Sequence, residues 1–198
     1  MAQFDRSLLK TLRERAERYN KNLSEEVIQH LSSRGITRAL ADEFLLGTCD
    51  DIHEGWMAIP YLRPNGVVWF NYRRMDDGKP KYMASGSKHI YNTAAFDIAD
   101  SSGEIAISEG ELDALIATRL CDVPTVGIPG NTQWTGNRHW RELFAGYQRV
   151  WILADPDEAG MLMAAGILEV LPAARLVKLP YDVNDTYLKT GGIKEFLK

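Results

Sequence analysis

Two acidic strings hold the residues best suited to chemistry in this chain. Ile107-Ser108-Glu109-Gly110-Glu111-Leu112-Asp113-Ala114 and Leu153-Ala154-Asp155-Pro156-Asp157-Glu158-Ala159-Gly160 each follow an apolar, β-prone run and precede an amphipathic, helix-prone run. That placement puts both carboxylate sets at the carboxyl ends of neighbouring parallel strands, where open α/β sheets bind ligands. A Glu at one strand end and an Asp-x-Asp at another make a hard, oxygen-only site. Such a site suits Mg²⁺ or Mn²⁺, which take a few carboxylates and leave positions open for phosphate. The chemistry implied is phosphoryl transfer on nucleic acid.

Each residue also has a plainer structural account. Glu109 is placed as an acid complementing a helix dipole, although Glu111 fits that role better. Gly110 allows a phosphate to approach the backbone. Asp113, one turn into the helix, either orients its neighbours or is a surface aspartate. Asp157 can cap the helix that starts at Glu158. Capping does not account for Asp155, which would be a buried charge at a strand end, a cost that a divalent cation removes.

The elements that position these residues follow from periodicity. From Glu104 onward, strands at Ile105–Ser108, Thr125–Ile128, Val150–Ala154 and Arg175–Leu179 alternate with helices at Glu111–Cys121, Asn137–Ala145 and Glu158–Leu171. A short helix is expected after Gly192. Strand–helix alternation implies an α/β fold with a mostly parallel four-stranded sheet, flanked by helices and joined by right-handed crossovers. Upstream, Phe4, Leu8, Leu9, Leu12, Ala16 and Tyr19 fall at helical spacing among Arg6, Lys10, Arg13, Arg15 and Arg18. This reads as a docked amphipathic helix in preference to a template- or partner-binding one. Ser24 or Asn22 caps a second helix, Gly35 stops it, and Thr37 caps a third ending near Gly47. A hairpin spans Trp56–Tyr72 around Pro64-Asn65-Gly66. The polar cluster Asp100-Ser101-Ser102-Gly103 marks a boundary, giving an amino-terminal helix over 1–22, a small α+β lobe over 23–102 and an α/β domain over 103–198.

At 198 residues, 45% hydrophobic and 25% charged, the chain is long enough for one full core or two small lobes. No apolar stretch is long enough to span a bilayer, and Met1–Arg6 does not read as a signal peptide, so a cytoplasmic protein is expected. Cys49 and Cys121 read as reduced core thiols. Without a Cys-x-x-Cys pair, and with its four histidines scattered, the sequence contains no zinc ribbon. The net charge of −4 looks unsuited to a nucleic-acid partner. Its distribution is uneven, however: Arg73, Arg74, Lys79, Lys81 and Lys88 face only Asp76 and Asp77 between residues 73 and 88.

The Glu-Gly-x-x-Asp-Ala string followed by Asp-x-Asp-x-Ala-Gly resembles the toprim signature of DnaG-type primases, topoisomerases and some nucleases. Leu31–Thr37, Phe44–Gly47, Met57–Pro60 with Gly66 and Val67, Pro80–Met83 and His89–Asn92 resemble the basal part of the primase catalytic core, in family order. The resemblance runs from about Ser24 to Gly191. It implies a toprim-like domain preceded by a primase basal lobe. The implied activity is template-directed synthesis of RNA primers on single-stranded DNA from ribonucleoside triphosphates. Glu109 then matches the glutamate that binds metal or takes the proton of the attacking 3′-hydroxyl, with Asp155 and Asp157 as its metal partners. Tyr181-Asp182-Val183-Asn184-Asp185-Thr186 resembles the third toprim element in its phage primase–helicase form. Asp182 is thus either a ligand of a second ion or the start of an Asx-turn. Lys81 and Tyr82 fall at the family's nucleotide- and template-binding Lys-Tyr, with Arg73, Arg74 and Lys88 as phosphate contacts. Tyr82, with Trp69 or Tyr72, is placed to stack a base.

The sequence departs from the family at Asp51–Trp56, which lacks the usual arginines, and its basal lobe is short. No zinc-binding or helicase-binding part is recognisable. A reduced, phage-like system is therefore expected, with a zinc-bearing subunit and a replicative helicase as separate partners. Two other functions fit the same motifs: a toprim metal nuclease, and a non-catalytic single-stranded DNA-binding replisome subunit.

Overall fold

The computed structural model describes residues 6–85, 89–128, 134 and 137–198, Arg138 by its backbone alone. The chain divides into two compact units, 1–89 and 90–198. The division falls earlier than the polar cluster at 100–103 because the segment after His89 already belongs to the second unit. Tyr91 N–H donates to the Gly127 carbonyl at 2.8 Å, and the helix at Ala94–Ala99 packs on the strands of that unit.

The first unit opens with α1 (Arg6–Lys21), whose apolar side buries Leu9, Ala16 and Tyr19. Ser24 and Thr37 cap α2 (Glu25–Ser33) and α3 (Arg38–Glu43), accepting from the N–H groups of Val27 and Leu40 at 3.3 and 3.2 Å. Gly35, at φ 77°, makes the left-handed turn between them. Strands β1 (Gly47–Thr48), β2 (Met57–Arg63), β3 (Gly66–Arg73) and β4 (Tyr82–Ala84) form an antiparallel sheet in chain order. Helix α1 lies on β1 and β3, and Tyr19 packs edge-on to Phe70, with ring centroids 5.7 Å apart. The Tyr19 hydroxyl hydrogen-bonds Asp51, and Arg18 holds both Asp50 and Asp51, so the helix is docked as its apolar spacing implies.

The second unit carries α4 (Ala94–Ala99), β5 (Glu104–Ser108), α5 (Glu111–Arg119), β6 (Thr125–Gly127), β7 (Arg149–Leu153), α6 (Glu158–Leu168), β8 (Ala174–Leu176) and α7 (Val183–Thr190). Its four strands are all parallel, in the order β6-β5-β7-β8. Ile105, Ile107, Val150 and Ile152 point to one face and pack with Met163, Ala164 and Ile167 of α6. Helix α5 packs on β5, β6 and α7. Among the described residues no helix is long and apolar enough to cross a membrane.

Several expectations need correction. The segment expected as a helix over 137–145 is a 3₁₀ helix, Arg138–Phe144, and so is the terminal one, Lys194–Phe196. Trp140 N–H donates to the Asn137 carbonyl at 2.9 Å, the i→i+3 spacing of a 3₁₀ turn. The strand expected over 175–179 is Ala174–Leu176.

Gly47 lets α1 reach the sheet: a Cβ there would overlap the backbone of Tyr19 and Asn20. Gly47→Ala should therefore lower the stability of the protein by about 1–3 kcal/mol, the usual cost of overpacking. An unchanged urea midpoint would contradict this packing.

Candidate active site

From β5 the chain crosses to β6 on one side, and from β7 to β8 on the other. Right-handed crossovers then require α5 and α6 to lie on opposite faces, which opens a crevice at the carboxyl ends of β5 and β7. Glu109 leaves β5 with the parity of Ile105 and Ile107, toward the α6 face. Its Oε1 accepts a hydrogen bond from Asp155 N–H at 3.1 Å, joining the two acidic strings across the crevice. Gly160, in the first turn of α6, makes the space: a Cβ there would overlap Glu109 Oε1 and the Asp155 carbonyl. Sequence reasoning gave Gly160 no role. The available signal was a glycine inside a helix, where it costs about 1 kcal/mol relative to alanine.

Burial first, then the nearby charges of Asp155 and Asp157, push the Glu109 carboxyl up to about 6. Asp155 is half-buried, not buried as expected, and lies two residues beyond the end of β7 at Leu153. Asp157 is exposed and caps α6, its Oδ1 accepting from Gly160 N–H at 2.8 Å. Among the described residues, no three carboxylate, imidazole or thiol side chains are gathered closely enough to hold a metal unaided.

Gly110 is the N-cap of α5, and the space left by its missing side chain is taken by Asp113: a Cβ would lie 2.6 Å from Asp113 Oδ2. Asp113 Oδ2 thus lies beside Gly110, where a side chain would otherwise stand. Glu111 sits in the first turn of α5 as a dipole-complementing acid would, yet its side chain is buried, and its charge acts on the enclosed Tyr91 phenol. Asp182 caps α7, its Oδ1 accepting from Asp185 N–H at 2.7 Å, so the Asx-turn is present.

The basic segment lies in the first unit. Arg73 closes β3 and Tyr82 opens β4. The Arg73 guanidinium and the Lys81 ammonium lie 5.8 and 6.0 Å from the centroid of the exposed Tyr82 ring. Arg74 is engaged internally: it stacks on Trp56 at 4.7 Å and pairs with Asp76 at 3.1 Å. Trp69 and Tyr72 are buried, which leaves Tyr82 as the stacking surface among the three aromatics considered. Lys88 lies outside the described residues.

Glu109 affects stability in a definite direction. Its carboxyl titrates at about 6 in the folded protein against an ordinary 4.5, so between those values the folded state holds more protons than the unfolded state. Stability falls as pH rises through that window and stays lowered above it. In chelator-treated buffer, Glu109→Gln should be more stable than the parent at pH 8 by about 1 kcal/mol, allowing for partial exposure, and the gain should vanish below about pH 4. Denaturant unfolding at both pH values checks this, and a pH-independent difference would contradict it.

No family model matches the chain. It is 46% identical over 149 residues to the gene 57 protein of Mycobacterium phage D29, covering 71% of this chain and 95% of that protein. Among solved structures it is similar to the Aquifex aeolicus primase, zinc-binding and RNA polymerase domains, with a TM-score of 0.77 at 22% identity. That match covers 96% of this chain but only 60% of the Aquifex chain. A DnaG primase catalytic domain bound to single-stranded DNA matches with a TM-score of 0.71 at 20% identity, over 94% of this chain and 74% of that one. The chain belongs to the family of the phage D29 gene 57 protein, and its fold is that of the DnaG primase catalytic core.

Proposed function

We propose that this protein is a primase catalytic subunit. It would join ribonucleoside triphosphates on a single-stranded DNA template and release pyrophosphate. The observation that carries this reading is Glu109 in the β5–β7 crevice, tied to Asp155 and repelled by both neighbouring aspartates. Support for the template comes from the likeness to a catalytic domain solved with single-stranded DNA.

The donor set fits Mg²⁺ or Mn²⁺. All the donors are oxygens, and the mutual repulsion of three carboxylates is what a cation would relieve. Mg²⁺ is commonly bound through one or two carboxylates plus substrate phosphates and needs no closed protein cage. Glu109, Asp155 and Asp157 would hold the ion, and Asp182, whose Oδ1 caps α7, would reach a second one directly or through water. When bound, the ion would neutralise phosphate charge and acidify the attacking hydroxyl. Glu109, at the end of β5 beside Asp155, is the carboxylate suited to hold the ion or to accept the 3′-hydroxyl proton. Asp157, exposed and anchored as a cap, fixes the position of the α6 terminus beside that carboxylate. Lys81, Arg73 and Tyr82 would take template or triphosphate. A zinc-bearing subunit and a replicative helicase are the further partners of this reading.

Incorporation of labelled ribonucleotides on a single-stranded template with Mn²⁺ tests the proposal. Glu109→Gln should reduce synthesis by at least about 100-fold, the usual scale for losing a general base, while leaving DNA binding unchanged. Lys81→Ala should weaken binding and flatten its salt dependence by about one unit of slope. Synthesis by Glu109→Gln at the parent rate would refute the assignment. Degradation of a labelled strand without synthesis would reassign the site to hydrolysis.

A further inference from the structure

Every residue of α6 after Glu158 is apolar or glycine. A helix that is apolar all round is ordinarily covered on all sides. Only one side of α6 is covered. Met163, Ala164 and Ile167 are buried against the sheet, while Leu162, Met161 and Leu168 are 62%, 49% and 42% exposed. Met161, Ala165 and Leu168 stand at i, i+4 and i+7, with Leu162 three residues before Ala165, and Ala165 is exposed too. This is the spacing of a stripe that packs against another helix.

The charges around the stripe are of one sign. Glu158 opens it and Glu169 closes it, both exposed. At about 100° per residue, both fall on the side of Leu162 and Ala165. The exposed Asp157, which caps α6, adds a third negative charge at the opening end. A second copy of this chain would therefore set acids against acids, whether the two helices ran parallel or antiparallel. The stripe also offers only on the order of 350 Å² of surface. Two copies would bury roughly 700 Å² through it, short of the roughly 1,200 Å² of a stable interface, whereas a single helix needs no more. Acidic ends likewise disfavour nucleic-acid phosphate and anionic lipid.

We propose that the outer face of α6 is a docking surface for an amphipathic helix of another protein, one whose own apolar stripe lies between Lys or Arg residues at both ends. The apolar stripes bury each other, and the basic ends meet Glu158 and Glu169. The docked helix reaches the turn that Asp157 caps, so its protein is held at the edge of the β5–β7 crevice. The proposal does not depend on the primase reading.

The test uses the full chain and two labelled, stapled helical peptides as long as α6, with the same leucine stripe. One carries Lys at both ends and the other Glu. Fluorescence anisotropy should show binding of the Lys-ended peptide and at least about tenfold weaker binding of the Glu-ended one. Leu162→Ser should weaken the Lys-ended peptide at least about tenfold, the worth of one buried leucine, with the urea midpoint unchanged because the side chain is exposed. Glu158→Gln combined with Glu169→Gln should bring the two peptides to within a few-fold of each other. No binding of the Lys-ended peptide, equal binding of both peptides to the parent, or an affinity indifferent to Leu162→Ser would overturn the proposal. So would a dimer in sedimentation velocity that Leu162→Ser dissociates, which would assign the face to a second copy.

Discussion

The hydrogen bond from Asp155 N–H to Glu109 Oε1 ties the ends of β5 and β7, and the second unit is arranged so that it can form. It requires the strand order to reverse between those strands, so that no helix closes over their carboxyl ends. It requires a glycine at 160, because α6 begins where the carboxylate must lie. It is steadied by Asp157, which caps the same turn. The result is a half-buried carboxylate beside two others, an arrangement that costs stability at neutral pH. Functional sites store such costs when the arrangement is what the chemistry uses.

Charge in the first unit is sorted in the same sense. Arg18 meets Asp50 through Nε and Nη2, at 3.0 and 2.8 Å to Oδ1, and reaches Asp51 at 2.7 Å. Arg13 pairs with Glu17, and Lys10 with Glu14. The cations of α1 are thus largely taken up within the unit, while Arg73 and Lys81 gather around Tyr82. The net charge of −4 describes the sum and conceals this division. The segment Asp51–Trp56, where the resemblance leads one to expect arginines, instead supplies an acid, Asp51, for α1 and an aromatic ring, Trp56, for Arg74.

Local physics explains what was legible in the sequence. The caps at Ser24, Thr37 and Asp157 and the turn at Gly35 depend on residues within three positions, and all were readable. Strands β5 and β7 were readable because, buried on both faces over most of their length, they are largely continuous apolar runs. Helix α7 buries only Val183, Asn184 and Thr186, so it carries no apolar period to detect. Strand β4 is exposed along its length and was missed for the same reason. The site residues Glu109 and Asp155 were named from their strand ends, but the fit of Gly160 beneath them depends on a contact across 51 positions of chain.

The central claim is that Glu109 and Asp155 share a cation at the β5–β7 crevice. Anomalous diffraction from crystals soaked in Mn²⁺ with a ribonucleoside triphosphate tests it most directly. The account predicts a Mn²⁺ peak within about 2.0–2.3 Å of a carboxylate oxygen of Glu109 or Asp155, the range of such metal–oxygen bonds. Well-occupied peaks found only elsewhere, with Glu109 still bonded to Asp155 N–H and no ion beside it, would contradict it.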